Sequence, residues 1–168
     1  MVTSDLRVTP ELLKNIPLFS CFSENELSEL IHSGEIKTFE SHANLVIEGE
    51  LTSGLYIVLE GIVGVFKNNP VSGELYDVGQ LRQGNFFGEI SLIEDAPRSA
   101  TVRGLTPCQT FFISKEAFHR LLSKSQDLKV KFLENCLSDL VHRLREVDEN
   151  YVVSQFQLWK SAIKKEAA

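Results

Sequence analysis

A chain of 168 residues with 43% hydrophobic and 24% charged content is long enough for one domain with a sizeable core and an appendage. Its formal net charge of −6 argues against a nucleic-acid surface, which needs a concentrated basic patch, and its apolar runs are of strand length, too short to span a membrane. Met1 to Pro10 mixes Ser, Asp, Arg and Thr where a signal peptide would carry an apolar stretch, so none is expected. Cys21, Cys108 and Cys136 are too scattered for a disulfide framework or a metal knuckle and read as reduced, packed thiols in a cytoplasmic protein. His32, His42, His119 and His142 form no H-x-H or H-x-x-x-H pair, and no metal ligand is expected among them.

The first elements are helical. Thr9 before Pro10 has the pattern of an N-cap followed by proline at the first helical position, which predicts a short helix through Lys14. Ser23 with Glu26 three residues on makes a capping box for a helix over 24–32, with Phe22 and Leu27 placed as its hydrophobic staple, and Ser33–Gly34 as the stop.

From Glu35 to Ser114 the pattern changes to short apolar runs separated by glycines at 49, 54, 61, 64, 73, 79, 84 and 88. Several short strands with regular turn residues predict a sandwich or barrel, read here as a β jelly roll in a mainly β protein with flanking helices. Asn68, Asn69 and Pro70, with Ser72 and Gly73, make a hairpin loop.

Within the roll, the run FGEISLIEDAPRSATV, Phe87 to Val102, stands apart. Gly88 and Glu89 open one helical turn through Ile93, Glu94 to Pro97 form a polar bend, and Arg98, Ser99 and Ala100 lead back into a strand. A glycine before a helix start turns unpaired N–H groups outward and attracts an anion. Arg98 suits a phosphate better than a lysine would, because its planar fork matches two oxygens. Glu89, when ionised, only accepts hydrogen bonds, so beside an anion it calls for a ligand that also brings a hydroxyl. A cyclic nucleotide supplies both, as one diester charge and a free ribose 2′-OH.

Ser114 caps a helix over 115–122, and Ser125 to Asp127 open a long final helix. Along it Leu133, Leu137, Leu140, Leu144, Val147 and Tyr151 alternate spacings of four and three, the seam of a coiled coil, with part of the stripe expected to pack on its own roll. A parallel homodimer through this helix is the expectation. Phe156, Trp159 and Ile163 continue into an amphipathic tail with Lys160, Lys164 and Lys165, basic residues that suit a helix C-terminus.

The run FGEISLIEDAPRSATV, with LYIVLEGIVGVF upstream at Leu55 to Phe66, resembles the cyclic-nucleotide-binding domain family, of the catabolite-activator and cyclic-AMP-dependent-kinase regulatory type. The likeness spans roughly residues 15 to 150. It implies a ligand-binding set of Gly88, Glu89, Ile90, Ser91, Arg98, Ser99 and Ala100. In that set Glu89 meets the ribose, Arg98 the phosphate, and the N–H groups of Ser91 and Ser99 donate to phosphate. The bend at Glu94–Pro97 lacks the glycine that many members place there. Aligning His142 to Arg145 with the family's matching helix puts Val147 and Asp148 near the base. There Asp148 would accept from the adenine amine, while Ser99 would meet the 2-amino group of guanine. The resemblance thus implies a sensor for cAMP, with cGMP as the other candidate, that signals through its helices to a protein partner. It implies no catalysis and no bound cofactor.

The expected division is 1–34 as a leading helical segment, 35–126 as the roll with its cassette at 87–102, and 127–168 as a lid and dimerisation helix with its tail. No DNA-binding domain is expected after Tyr151. Two other functions fit parts of the chain: a ligand-independent interaction domain acting through the last helix, and a cupin-type metal enzyme, for which the histidines are too dispersed.

Overall fold

The computed structural model describes residues 8–166, excluding the side chains at 158, 161, 162 and 164–166. Residues 1–7, read above for a signal peptide, and the side chains of Lys164 and Lys165 therefore lie outside the described residues. Helix α1 (Pro10–Lys14) is capped by Thr9, whose Oγ1 accepts from the Leu12 N–H. A single 3-10 turn at Pro17–Phe19 separates it from α2 (Glu24–Ser33). There the capping box is complete: Glu26 Oε2 accepts from the Ser23 N–H at 2.8 Å while the Ser23 hydroxyl accepts from the Glu26 N–H.

Eight strands follow: β1 (Glu35–Phe39), β2 (Asn44–Val46), β3 (Leu55–Glu60), β4 (Val63–Asn68), β5 (Leu75–Leu81), β6 (Phe86–Phe87), β7 (Thr101–Gly104) and β8 (Cys108–Ile113). They form two antiparallel four-stranded sheets, in the orders β1-β8-β3-β6 and β2-β7-β4-β5, the expected jelly roll. Helix α3 (Ile90–Ile93) interrupts the strands between β6 and β7, and α4 (Lys115–Leu122) and α5 (Gln126–Glu166) close the chain. The β4–β5 hairpin lies where the sequence placed it, and in its loop Asn69 Oδ1 accepts from the Val71 and Ser72 N–H groups.

Strand β3 explains the layering. Its run LYIVL has no polar alternation because both of its faces are covered. Leu55, Ile57 and Leu59 join a core shared with the helices, among Leu13, Phe19, Phe22, Leu27, Phe118 and Phe132. Tyr56 and Val58 point the other way, into the space between the sheets, with Val46, Val63, Phe87 and Val102. The sheet is thus a wall between a helical core and an inter-sheet core, and the cassette leaves it at β6.

The last helix departs from expectation in one respect. Among its described side chains the buried ones are Leu128, Phe132 and Cys136, four apart, packed into the helical core. None of the six seam residues is buried: Leu133, Leu137, Leu140, Leu144, Val147 and Tyr151 are 42–64% exposed. The expectation that part of this stripe packs on the roll is therefore corrected. At about 100° per residue the seam lies roughly 100° round the helix from the packed face, so the two stripes cannot share one contact. Asn135 fixes the phase of the helix, its Nδ2 donating to the Pro17 carbonyl at 3.1 Å and the Ser20 hydroxyl at 3.2 Å, and so ties α5 to the 3-10 turn. Among the described residues no helix is long and apolar enough to cross a membrane.

Candidate functional site

The cassette begins where β6 ends against β3, Tyr56 pairing with Phe87. Gly88 then adopts φ +88°, which an L side chain rarely takes, and the next residue, Glu89, stands at the N-cap position of α3 with its side chain free of the helix end. Glycine is needed here for close packing as well as for this φ. A Cβ at Gly88 would sit 2.4 Å from Arg98 Nη1 and 2.5 Å from the Gly54 carbonyl oxygen.

Arg98 reaches back across this turn. Its backbone is held to the loop before β3, the Arg98 N–H donating to the Glu50 carbonyl and its own carbonyl accepting from the Gly49 N–H, both at 2.9 Å. Its guanidinium donates from Nε to Thr52 Oγ1 (3.0 Å), from Nη1 to Ser91 Oγ (3.2 Å) and from Nη2 to the Gly54 carbonyl (3.1 Å). The residue is only 7% exposed. Among the described residues no carboxylate forms an ion pair with it. Burial pushes its pKa below the ordinary arginine value, against the more distant pull of Tyr56, Glu50 and Glu89. A buried cation whose hydrogen bonds all go to neutral oxygens, with the Tyr56 ring 5.8 Å from it, is an expensive arrangement unless an anion completes it.

Glu89 is also buried, at 8% exposure, and its Oε1 accepts from Arg143 Nη1 at 2.8 Å. Arg143 comes from α5, bridges to Asp139 Oδ2 at 2.9 Å on its own helix, and lies over the Phe86 ring at 5.5 Å. Its side chain is 46% exposed, so solvent screening limits this pair to about 1 kcal/mol or less. The contact is strong enough to register the helix against the cassette and weak enough to be exchanged. On the other side, α4 holds the cassette through Lys115 Nζ to Asp95 Oδ1 (2.7 Å) and His119 Nε2 to the Leu92 carbonyl (2.7 Å). The bend at Glu94–Pro97 is thus guided by α4 without a glycine.

These groups surround a cavity of about 230 Å³. That is below the range of about 300–1,000 Å³ usual for a small-ligand pocket. Seven of the residues expected to bind ligand line it: Gly88, Glu89, Ile90, Ser91, Arg98, Ser99 and Ala100. Asp148 does not. It stands exposed on α5, five residues beyond Arg143, and the helix side chain that reaches the cavity is Arg143. The reason is the helix phase set by Leu128, Phe132 and Cys136, which turns position 143 toward the roll. Sequence reasoning missed Arg143, although it lay inside the run His142 to Arg145 that was aligned. It also missed Thr52 and Gly54, which hold the guanidinium and carry no signal of their own. Cys136, beneath this contact, has its thiol pKa pushed up to about 12 by burial first and then by Glu89 and Asp139, so it is an inert packed thiol. Among the described residues, no three His, Cys, Asp or Glu side chains are placed to hold a metal ion.

Comparison with known proteins gives the same site a family. The model of the cyclic nucleotide-binding domain matches residues 36–125. The chain is 33% identical over 115 residues to the cAMP-dependent protein kinase regulatory subunit of Yarrowia lipolytica, covering 68% of this chain and 30% of that protein. Among solved structures it superposes on a cyclic nucleotide-binding domain from Methylobacillus flagellatus with a TM-score of 0.70 and 30% identity, over 81% of this chain and 76% of the other. It also superposes on the PKA regulatory domain of Toxoplasma gondii with cAMP, with a TM-score of 0.65 and 26% identity, over 79% and 51%. The chain spans 22–34% of the length of the curated relatives it matches. With the roll, the cassette and the family model coinciding, this chain belongs to the cyclic nucleotide-binding domain family.

Proposed function

We propose that this chain is a cyclic-nucleotide-binding regulatory module, with cAMP as a ligand, that passes occupancy to a protein partner through its helices and catalyses nothing itself. The observation that carries this reading is Arg98, a buried cation without a carboxylate partner among the described residues, lining a cavity together with Glu89 and Ser99. The ligand phosphate completes its charge, with the Ser91 and Ser99 N–H groups as further donors. The ribose hydroxyl is accepted by Glu89, in exchange for part of its contact with Arg143. Trading that pair shifts α5, and because Asn135 ties α5 to the leading 3-10 turn, the shift reaches both ends of the domain. Ligand can drive such a change only through its differential affinity for the two positions. Calorimetric titration of the folded chain with cAMP tests the reading: saturable 1:1 binding supports it, and no heat from folded protein at millimolar cAMP would sink it.

The exposed seam on α5 supports a parallel homodimer, since six apolar residues at alternating spacings of four and three continue past the domain body. Sedimentation equilibrium should give a dimer for the native chain and a monomer for the double variant Leu140→Glu, Leu144→Glu, both sites being exposed in the single chain. A native chain that sediments as a monomer at about 100 µM removes the dimer from the proposal. Three unpaired cysteines fit a reducing compartment such as the cytoplasm.

A further inference from the structure

Arg143 stands at a boundary on α5. At about 100° per residue it falls between the stripe of Leu128, Phe132 and Cys136, which packs on the domain, and the apolar seam, which does not. Its Nη1 donates to Glu89 and its Nε to Asp139, which leaves Nη2 without a partner among the described residues. The alternating steps of the seam assign heptad positions: Leu137, Leu144 and Tyr151 are a residues and Leu133, Leu140 and Val147 are d residues. Val130, also exposed, extends the seam one turn back at a. The residue before each a is a g and the residue after each d is an e, so Lys129 and Arg143 hold g positions and Glu134 and Asp148 hold e positions. In a parallel pair of helices in register, each g faces the e five residues further along the other helix. Both charged pairings are then opposite in sign, Lys129 with the partner's Glu134 and Arg143 with the partner's Asp148. The remaining two bring no like charges together, since Cys136 stands across from the partner's Val141 and Asn150 from the partner's Gln155. An antiparallel pairing over Leu133 to Tyr151 instead sets Arg143 against the partner's Arg143, and Glu134 against the partner's Asp148. In the single chain Lys129, Glu134 and Asp148 are exposed and form no ion pair among the described residues, whereas Lys131, His142 and Arg143 each find an acid one turn away on α5.

Resting on the ligand and dimer readings above, we infer that two copies of this chain pair in register through α5, and that each Arg143 is shared between Glu89 of its own cavity and the partner's Asp148. The shared guanidinium ties occupancy of the cavity to association. A ligand hydroxyl that takes Glu89 loosens its contact with Arg143, and the guanidinium then turns to the partner's acid. In the other direction, the partner's Asp148 offers Arg143 a second carboxylate and so eases the release of Glu89. Ligand and dimer therefore favour each other, and by linkage the factor is the same in both directions. The cation is half-exposed, which limits the coupling to about fivefold for each site.

The test is sedimentation equilibrium of the full chain with and without saturating cAMP, beside calorimetric titration with cAMP. Lys129→Glu and Glu134→Lys lie at exposed positions away from the cavity. Each alone should weaken dimerisation at least about tenfold by setting like charges across the seam, and their equimolar mixture should recover it to within about threefold of native. Saturating cAMP should tighten the native dimer about fivefold for each occupied site, and Asp148→Ala should remove that response while the variant still binds cAMP. A mixture no tighter than its components overturns the register. A native dimer that moves less than about twofold with cAMP, or an Asp148→Ala chain that keeps the full response, overturns the sharing of Arg143. Each of these results leaves ligand binding and the dimer standing. A native chain that is monomeric, or that binds no cAMP, overturns the inference together with the reading on which it rests.

Discussion

Arg98→Met is expected to weaken cAMP binding by at least about 100-fold while leaving the empty protein as stable as before, or more so. The two effects have opposite sign because the same burial drives them. With ligand, the phosphate loses the one buried cation that faces it, and a charge-assisted bidentate contact disappears. Without ligand, the native chain keeps a guanidinium out of water against three neutral oxygens, an arrangement that apolar residues of similar volume often improve. Of the groups left behind, the Gly54 N–H still donates to Ser91 Oγ and Thr52 is open to water. The Gly54 carbonyl loses its guanidinium donor, because the single Ser91 proton goes to the Gly88 carbonyl at 2.7 Å rather than to Gly54 at 3.3 Å. That costs about 1 kcal/mol, set against the buried cation that is removed. Calorimetry and thermal denaturation of the two proteins check this together. An affinity within tenfold of the native value would mean that Arg98 is not the phosphate anchor.

The second large effect is expected at Gly88. Gly88→Ala should destabilise the fold by about 3 kcal/mol, a fall in midpoint on the order of 10 °C for a domain of this size, and should displace Arg98 enough to abolish tight binding. Two penalties add at this position: φ is +88°, and the new methyl group would stand 2.5 Å from the Gly54 carbonyl oxygen, a backbone atom that cannot swing aside. Gly84 is the control. It has nearly the same φ, +83°, with nothing within 4 Å of a Cβ, so Gly84→Ala should lose only about 1 kcal/mol and keep its affinity. Equal losses in the two variants, read by thermal melting, would show that the crowding against Gly54 and Arg98 has no energetic consequence.

Local signals in the chain were direct where neighbouring residues alone decide the outcome. Ser23 and Glu26 are three apart and satisfy each other's backbone groups whatever the rest of the fold does, so the start of α2 was readable. The apolar run at Leu55–Leu59 was readable as a strand of the roll, and its coverage on both faces came only with the structure. Gly88, Glu89 and Arg98 lie within eleven residues, and their chemical roles toward an anion with a hydroxyl could be argued from residue type alone. What was not readable depends on distance along the chain. Glu89 and Arg143 are 54 residues apart, and nothing in the run His142 to Arg145 marks one arginine as the partner. Thr52 and Gly54 hold the guanidinium across more than forty positions, through a hydroxyl and a carbonyl that many residues could supply.

Helix α5 shows the limit most clearly. By itself the sequence determined that the helix forms, that it carries a continuous apolar seam, and that the roll contains a glycine-led turn with an arginine and a glutamate, residue types that suit an anion bearing a hydroxyl. Only the tertiary structure decided which of two apolar stripes on α5 faces the domain, and hence that Arg143 rather than Asp148 meets the cavity. The physical reason is that both stripes satisfy the same helical period. The choice between them is made by the shape of the pocket that Phe19, Phe22 and Phe118 leave for Phe132, a surface assembled from segments nearly a hundred residues apart.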